Sequence, residues 1–224
     1  MPTDDTLSIS SQPTSRSDLD LPESSIVFCA INNTYKINQH VFDIWMRLLE
    51  RVSGSVLWLF ETNKFVKANL RKEANKRGVK SDRLVFAKKV NHKKYLSQFQ
   101  QVDIFLDTFT YNAGATASNA LWAGLPVVTK IGQNYTARMA GSMLNAVGLP
   151  ELITETEKDY EALILELATN PKKLSEVKEK LANNRLTQPL FNTELYTKHL
   201  ENGYQQAYQN YFDGNLPQTI IVPK

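Results

Sequence analysis

From Ser25 onward the chain alternates between short apolar runs and longer segments whose apolar positions recur every three to four residues. The run "SIVFCAI" (25–31) is too short for a helix and apolar throughout, which suits a strand covered on both faces. A polar loop follows, with Asn38 placed as a helix N-cap. Val41, Ile44, Trp45, Leu48, Leu49 and Val52 then fall on one side of a helix, which Ser53-Gly54 ends. The unit repeats. "SVLWLFE" (55–61) predicts a second strand, followed by a basic helix reaching about Arg77-Gly78. "RLVFAKK" (83–89) predicts a third strand and "HKKYLSQFQQ" a third helix. "DIFLDT" (103–108) predicts a fourth strand, then a helix over about 116–123. "PVVTK" (126–130) predicts a fifth strand, and "YTARMAGSMLNAVG" a helix stopped by Gly148.

Buried strands separated by amphipathic helices require crossover connections, and such connections give a parallel sheet of fixed hand. The fold class read here is α/β, a Rossmann-like parallel sheet with helices on both faces. After Pro150 strand patterns thin out. Two helices are expected over 158–170 and 171–184, with Pro171 in the first turn of the second. A long helix over about 193–212 carries Leu195, Tyr196, Leu200, Tyr204, Ala207, Tyr208 and Phe212, ending at Asp213-Gly214. The division expected is a mobile tail over 1–22, a core over 23–150, carboxy-terminal helices over 151–214 packed on the same domain, and a tail over 215–224. The Ser, Thr, Asp and Pro content of the first 22 residues offers little to bury.

Composition narrows the function. The 26 basic and 23 acidic residues leave a net charge of +3, too little for nucleic acid without a basic patch. Lys and Arg are dense over 64–94 but alternate with apolar residues, the pattern of a solvated face. No apolar run approaches the ~18 residues of a membrane span, and the start lacks the apolar core of a signal peptide. Cys29 is the only cysteine, which fits a reducing, cytoplasmic setting and a buried role. Trp45, Trp58 and Trp122 lie on apolar faces and are expected in the core.

In an open parallel sheet, ligands sit beyond the carboxyl ends of the strands. Three loops there are chemically distinct: Asn32-Asn33-Thr34-Tyr35-Lys36, Lys88-Lys89-Val90-Asn91-His92, and Thr108 to Ser118. The last, with Ala113-Gly114-Ala115-Thr116-Ala117-Ser118, lets backbone N–H groups approach a ligand at a helix N-terminus. Lys36 and Lys88 or Lys89 add positive charge, and together they describe a diphosphate-type anion site. Small residues equally suit tight packing of a helix on the sheet, and spacing does not decide between the two. Asp107, at a strand end, reads as catalytic or as orienting the next loop. No pair of carboxylates has the spacing of general acid–base work, and no His/Cys cluster suggests a metal.

The string "FLDTFTYNAGATASNALWAGLPVVT" resembles the catalytic region of the protein O-GlcNAc transferases, SPINDLY-like members included. "FCAINNTYKI", "VFDIWMRLLERVSGSVLWLF", "ARMAGS" and "PLFNTELYTKHLE" extend the resemblance over about 21–221. It implies the carboxy-terminal lobe of a GT-B glycosyltransferase that transfers GlcNAc from UDP-GlcNAc to Ser or Thr with inversion and without a metal or other cofactor. It implies that Lys36 stabilises the leaving diphosphate and that Asn33 lies beside it. Gly114, Ala115 and Thr116 would donate to the phosphates, and Asn119 would meet the ribose. Val90, Asn91, His92 and Tyr95 would lie on the uracil side.

Three positions depart from the family pattern, one of them Tyr95, which stands where a uracil-stacking histidine is usual and can still stack. A Thr-Thr pair is replaced by Ala115-Thr116, and the acidic ribose residue by Asn119. The resemblance also implies an amino-terminal lobe, often with tetratricopeptide repeats ahead of it, whereas only about 22 polar residues precede the first strand here. The expectation is therefore a UDP-sugar-binding lobe, incomplete as a lone chain. Its partners would be UDP or a UDP-sugar, a separate amino-terminal lobe and a protein acceptor, with neither nucleic acid nor membrane. The alternative is a non-catalytic module that binds UDP or UDP-sugar. An NAD-binding domain is excluded by the missing glycine fingerprint.

Overall fold

The computed structural model describes residues 4–12 and 14–222. Six parallel strands form its centre: β1 (Val27–Ala30), β2 (Val56–Phe60), β3 (Leu84–Ala87), β4 (Ile104–Leu106), β5 (Val127–Lys130) and β6 (Ile153–Thr154). Their order across the sheet is β3-β2-β1-β4-β5-β6, the doubly wound arrangement in which winding reverses between β1 and β4. Phe28 pairs with Ile104 and Cys29 with Phe105 across that reversal. The five strands read from the sequence are all present, four trimmed at both ends and β5 at its start only. β6, only two residues long, has no pattern of its own to read.

The helices are α1 (Gln39–Arg51), α2 (Lys64–Lys76), α3 (His92–Gln98), α4 (Ala115–Trp122), α5 (Met139–Ala146), α6 (Glu157–Thr169), α7 (Pro171–Thr187) and α8 (Thr193–Phe212). Side-chain caps fix most of their starts. The Asn38 carboxamide accepts the Val41 N–H at the head of α1, and Asn63, Asn91, Thr156, Asn170 and Asn192 cap α2, α3, α6, α7 and α8 likewise. Each such contact satisfies an otherwise orphaned N–H. α5 continues from a short 3-10 turn capped by Asn134. α4 differs, because Gly114 precedes it with no side chain to cap it. Gly54 (φ +72°) and Gly148 (φ +72°) end α1 and α5 in the left-handed conformation that side chains disfavour.

The core is continuous. Val27, Phe28, Leu57, Leu59, Ile104, Phe105 and Val127 of the strands are buried against Leu48, Leu49, Leu121 and Leu144 of the helices. Trp45 and Trp58 lie within it. Trp122 sits at its edge, packed on Phe191 at 5.0 Å and donating its indole N–H to the Leu7 carbonyl at 2.9 Å.

Two segments differ from the sequence reading. Of the stretch expected as a mobile amino-terminal tail, the described residues 10–12 and 14–21 lie against the domain as a strap. The Ser10 N–H donates to the Lys93 carbonyl, Thr14 bonds Ser97, and Arg16 pairs with Asp103 at 2.8 Å while donating to the Ser25 carbonyl at 2.7 Å. These contacts are polar, so hydrophobic patterning could not foresee them. At the other end, α6 and α7 bury Tyr160, Ile164, Leu167, Leu174, Val177 and Leu181, whereas α8 buries none of its residues. An amphipathic stripe forms its helix locally but needs a partner surface to be covered. The Asn215 N–H then bonds back to Asn210.

Candidate functional site

The β1–α1 loop, the β4–α4 loop and the start of α4 meet over the β1/β4 reversal. They enclose an open cavity of about 480 Å³ lined by Ile31, Asn32, Asn33, Tyr35, Lys36, Phe60, Tyr95, Tyr111, Gly114, Ala115, Thr116 and Met139. Of the candidate residues, Lys36, Asn33, Gly114, Ala115, Thr116 and Tyr95 are thus brought together. The uncapped first turn of α4 opens onto this cavity, and its free N–H groups and positive dipole end favour an anion.

Lys36 is positioned by its neighbours. Its ammonium donates to the Asn112 carbonyl at 2.9 Å and to the Asn32 carboxamide oxygen at 3.5 Å, and lies 4.0 Å from the centre of the Tyr111 ring. Burial lowers its pKa, and the charge of Asp107 opposes that shift. Tyr35 leans on Tyr111 with ring centres 6.2 Å apart, so two aromatic rings edge the cavity on the lysine's side.

Asp107, at the end of β4, is fully buried. One carboxylate oxygen accepts the Thr108 N–H at 2.8 Å and the Ala113 N–H at 2.6 Å. The other accepts the Thr129 hydroxyl at 2.6 Å. Burial pushes its pKa up to about 7, against the pull of these donors and of Lys36. Of the two readings left open for Asp107, the geometry is that of an orienting residue, since its oxygens are engaged by the loop itself.

Tyr95 packs edge-on to Phe99 at 4.7 Å, and its hydroxyl faces the Thr116 and Asn119 side chains. Burial pushes that phenol's pKa up despite them. Asn119 therefore stands one turn into α4, beside Tyr95 rather than on the cavity wall.

The other uracil-side candidates lie elsewhere. Asn91 spends its side chain capping α3, accepting the Lys94 N–H at 3.0 Å. His92 is exposed, its ring centre 6.1 Å from Tyr95. Val90 lines a separate cavity of about 440 Å³ beneath the amino-terminal strap, as does Lys88. Neither Lys88 nor Lys89 lines the Lys36 cavity. Sequence reasoning missed Phe60, Tyr111 and Met139 as lining residues. Their only signal was position: Phe60 ends β2, Tyr111 lies inside a loop already flagged, and Met139 opens α5.

Among the described residues no group of three or more His, Cys, Asp or Glu side chains is placed to hold a metal ion, and no helix is long and apolar enough to cross a membrane. Cys29 is buried in β1 and its thiol pKa is pushed up by that burial.

Comparison with known proteins agrees with this geometry. The family model described as Glycosyl transferase family 41 matches residues 3–200. A UDP-N-acetylglucosamine-peptide N-acetylglucosaminyltransferase of Caenorhabditis elegans is 32% identical over 201 residues, covering 90% of this chain and 18% of the relative. A probable enzyme of the same description, SEC of Arabidopsis thaliana, is 33% identical over 219 residues, covering 97% of this chain and 22% of the relative. This chain therefore spans about a fifth of the length of these curated relatives. Among solved structures, a mutant O-GlcNAc transferase of Thermobaculum terrenum superposes with a TM-score of 0.77 at 28% identity, over 81% of this chain and 36% of that one. The doubly wound sheet is that of one lobe of a GT-B fold. With the family model matched across most of its length, the chain belongs to glycosyl transferase family 41.

Proposed function

We propose that this chain is the carboxy-terminal, UDP-sugar-binding lobe of an inverting O-GlcNAc transferase-type enzyme. The reaction is transfer of GlcNAc from UDP-GlcNAc to a Ser or Thr hydroxyl of a protein, in a cytoplasmic setting. The observation that carries the reading is the convergence of Lys36 and the uncapped start of α4 on one cavity at the β1/β4 reversal.

In this reading the diphosphate lies against the Gly114, Ala115 and Thr116 backbone, with Lys36 moving from the Asn112 carbonyl onto a phosphate oxygen. Charge that develops as the sugar departs is met by that ammonium and by the helix dipole. Preorganised donors of this kind are worth about 3–4 kcal/mol in a closed site. No metal is needed for that charge. Asn33 flanks the phosphates and Asn119 the ribose beside Tyr95; the uracil extends past Tyr95, outside the Lys36 cavity, toward the start of α3 where Val90, Asn91 and His92 stand. A second lobe would supply the opposite wall, exclude water and seat the acceptor.

A second reading is a UDP-binding module without catalysis. It is favoured by Ala115, which offers no hydroxyl where the family carries threonine, and by Asn119, which carries no charge.

Calorimetric titration with UDP, with ADP as control, tests the donor site. A half-open site is expected to bind UDP at about 0.1–1 mM, near −5 kcal/mol, better than ADP and more weakly in Lys36→Ala. Equal binding of UDP and ADP, or none at millimolar concentration, refutes the donor-site reading.

A further inference from the structure

Beyond the groups that face the cavity stands a buried carboxylate that never reaches it. Asp107 closes a ring over 107–113 by accepting the Thr108 and Ala113 N–H groups on one oxygen, while Thr129 of β5 holds the other. Its own backbone carbonyl accepts the Tyr160 hydroxyl of α6 at 2.9 Å, and that hydroxyl accepts the Trp45 indole N–H of α1 at 3.3 Å. Asp107 is thus tied to the sheet and to two helices.

The loop it closes is tied a second time. The Asn112 carboxamide donates to the Thr108 carbonyl at 2.7 Å, the Thr108 hydroxyl donates to the Tyr111 carbonyl at 2.7 Å, and the Asn112 N–H donates to the Thr136 carbonyl at 2.9 Å. The product is one fixed carbonyl, that of Asn112, which receives the Lys36 ammonium. The next residues after Ala113 are Gly114, Ala115 and Thr116. Wherever the Ala113 N–H is held, the following backbone is aimed.

We propose that Asp107 is the positioning residue of this site. Its carboxylate shapes the 108–114 loop so that the Gly114–Thr116 backbone faces the cavity and Lys36 is seated on Asn112. The proposal rests on reading the cavity as a diphosphate site. A buried anion is costly unless paired and hydrogen-bonded, and three donors at 2.6–2.8 Å are the short bonds of a charged acceptor. Lys36 is the positive charge that Asp107 feels. Closing a loop alone needs only a neutral acceptor, whereas a carboxylate also offsets the burial of the lysine ammonium.

The test compares wild type with Asp107→Ala, Asp107→Asn, Thr129→Val and Thr129→Ser, reading UDP affinity by calorimetry and backbone amide shifts without ligand. Asp107→Ala is expected to move the Thr108, Ala113 and Gly114 amide signals and to weaken UDP at least tenfold. Asp107→Asn, which keeps an acceptor oxygen of the same reach but no charge, is expected to restore those amides and only part of the affinity. Thr129→Val is expected to weaken UDP three- to tenfold, with Thr129→Ser restoring it.

A folded Asp107→Ala chain that binds UDP within twofold of wild type overturns the proposal. If that chain does not fold, Thr129→Val binding like wild type overturns it instead. Absence of UDP binding in wild type defeats the diphosphate reading, and the ligand-free amide shifts then decide the positioning role: unmoved signals in Asp107→Ala or Thr129→Val reject it.

Discussion

The Lys36 ammonium and the Asn112 carbonyl meet at 2.9 Å across 76 positions of sequence, with the Tyr111 ring 4.0 Å from the same nitrogen. That contact joins the loop after β1 to the loop after β4, the two loops flanking the point where the sheet reverses its winding. Neither loop makes an anion site alone. Their junction places a cation at the mouth of a helix whose first N–H groups have no side-chain cap.

Lys36→Met retains length and apolar bulk while removing the charge. UDP affinity is expected to fall by about one to two decades, as for loss of a charged hydrogen bond worth ~1.5–3 kcal/mol. The melting temperature is expected to fall only modestly, since Lys36 makes no ion pair among the described residues and what is lost is two hydrogen bonds and the longer-range attraction to Asp107. Calorimetry of the variant beside wild type checks this, and undiminished affinity would remove Lys36 from the donor site.

Ala115 opens α4 and is exposed, so a larger side chain fits there without displacing the core. Ala115→Thr supplies the missing hydroxyl, and UDP is expected to bind about three- to tenfold tighter, the effect of one added hydrogen bond. A titration showing no gain would mean that the backbone N–H groups, not the hydroxyl, carry the phosphate contact.

The buried Asp107 carboxyl makes stability depend on pH. Its ordinary pKa of 3.8 is raised to about 7 in the folded chain, so between those values the folded state binds more protons than the unfolded one. Stability from this group is full below about pH 4 and is lost as pH rises through about 7. Urea midpoints of wild type and Asp107→Asn at pH 4.5 and 7.5 check the sign. Wild type is expected to lose ground relative to the variant at the higher pH, and a constant gap would show that the carboxyl does not titrate in that interval.

Asp103 joins three elements: it accepts from Arg16 at 2.8 Å, from the Val27 N–H at 2.9 Å and from Lys178 at 3.0 Å. Its side chain is only 13% exposed, so its removal strands groups that are themselves half-buried. Asp103→Ala is expected to cost about 1–3 kcal/mol and to speed amide exchange through the strap over 7–12 and 14–21. Exchange measured by mass spectrometry distinguishes this from uniform destabilisation, in which the strap would change no more than the core.

Much of the site was legible as loops and not as contacts. Asn33, Lys36 and the 114–116 stretch follow apolar runs whose parallel pairing puts their ends on one edge, so their convergence follows from topology. Val90, Asn91 and His92 obey the same rule, yet they do not line the cavity. The Asn91 carboxamide is consumed by its own helix cap, and β3 lies at the far edge of the sheet, two strands from the reversal. Tyr111 had no pattern to mark it, because a residue in an irregular loop carries no periodicity, and Met139 opens α5, where helical spacing says nothing about which loop it faces.

The same division runs through the whole chain. Periodicity and local turn chemistry determined five strands, their alternation with helices, the cap at Asn38, Pro171 in the first turn of α7, and the ends at Gly54 and Gly148. Strand order, the burial of Asp107 between Thr129 and Tyr160, the strap that Arg16 fastens to Asp103, and the exposure of α8 were decided only by the tertiary structure. Each depends on polar groups or faces that are far apart in sequence, and whether such groups meet is set by how the layers pack.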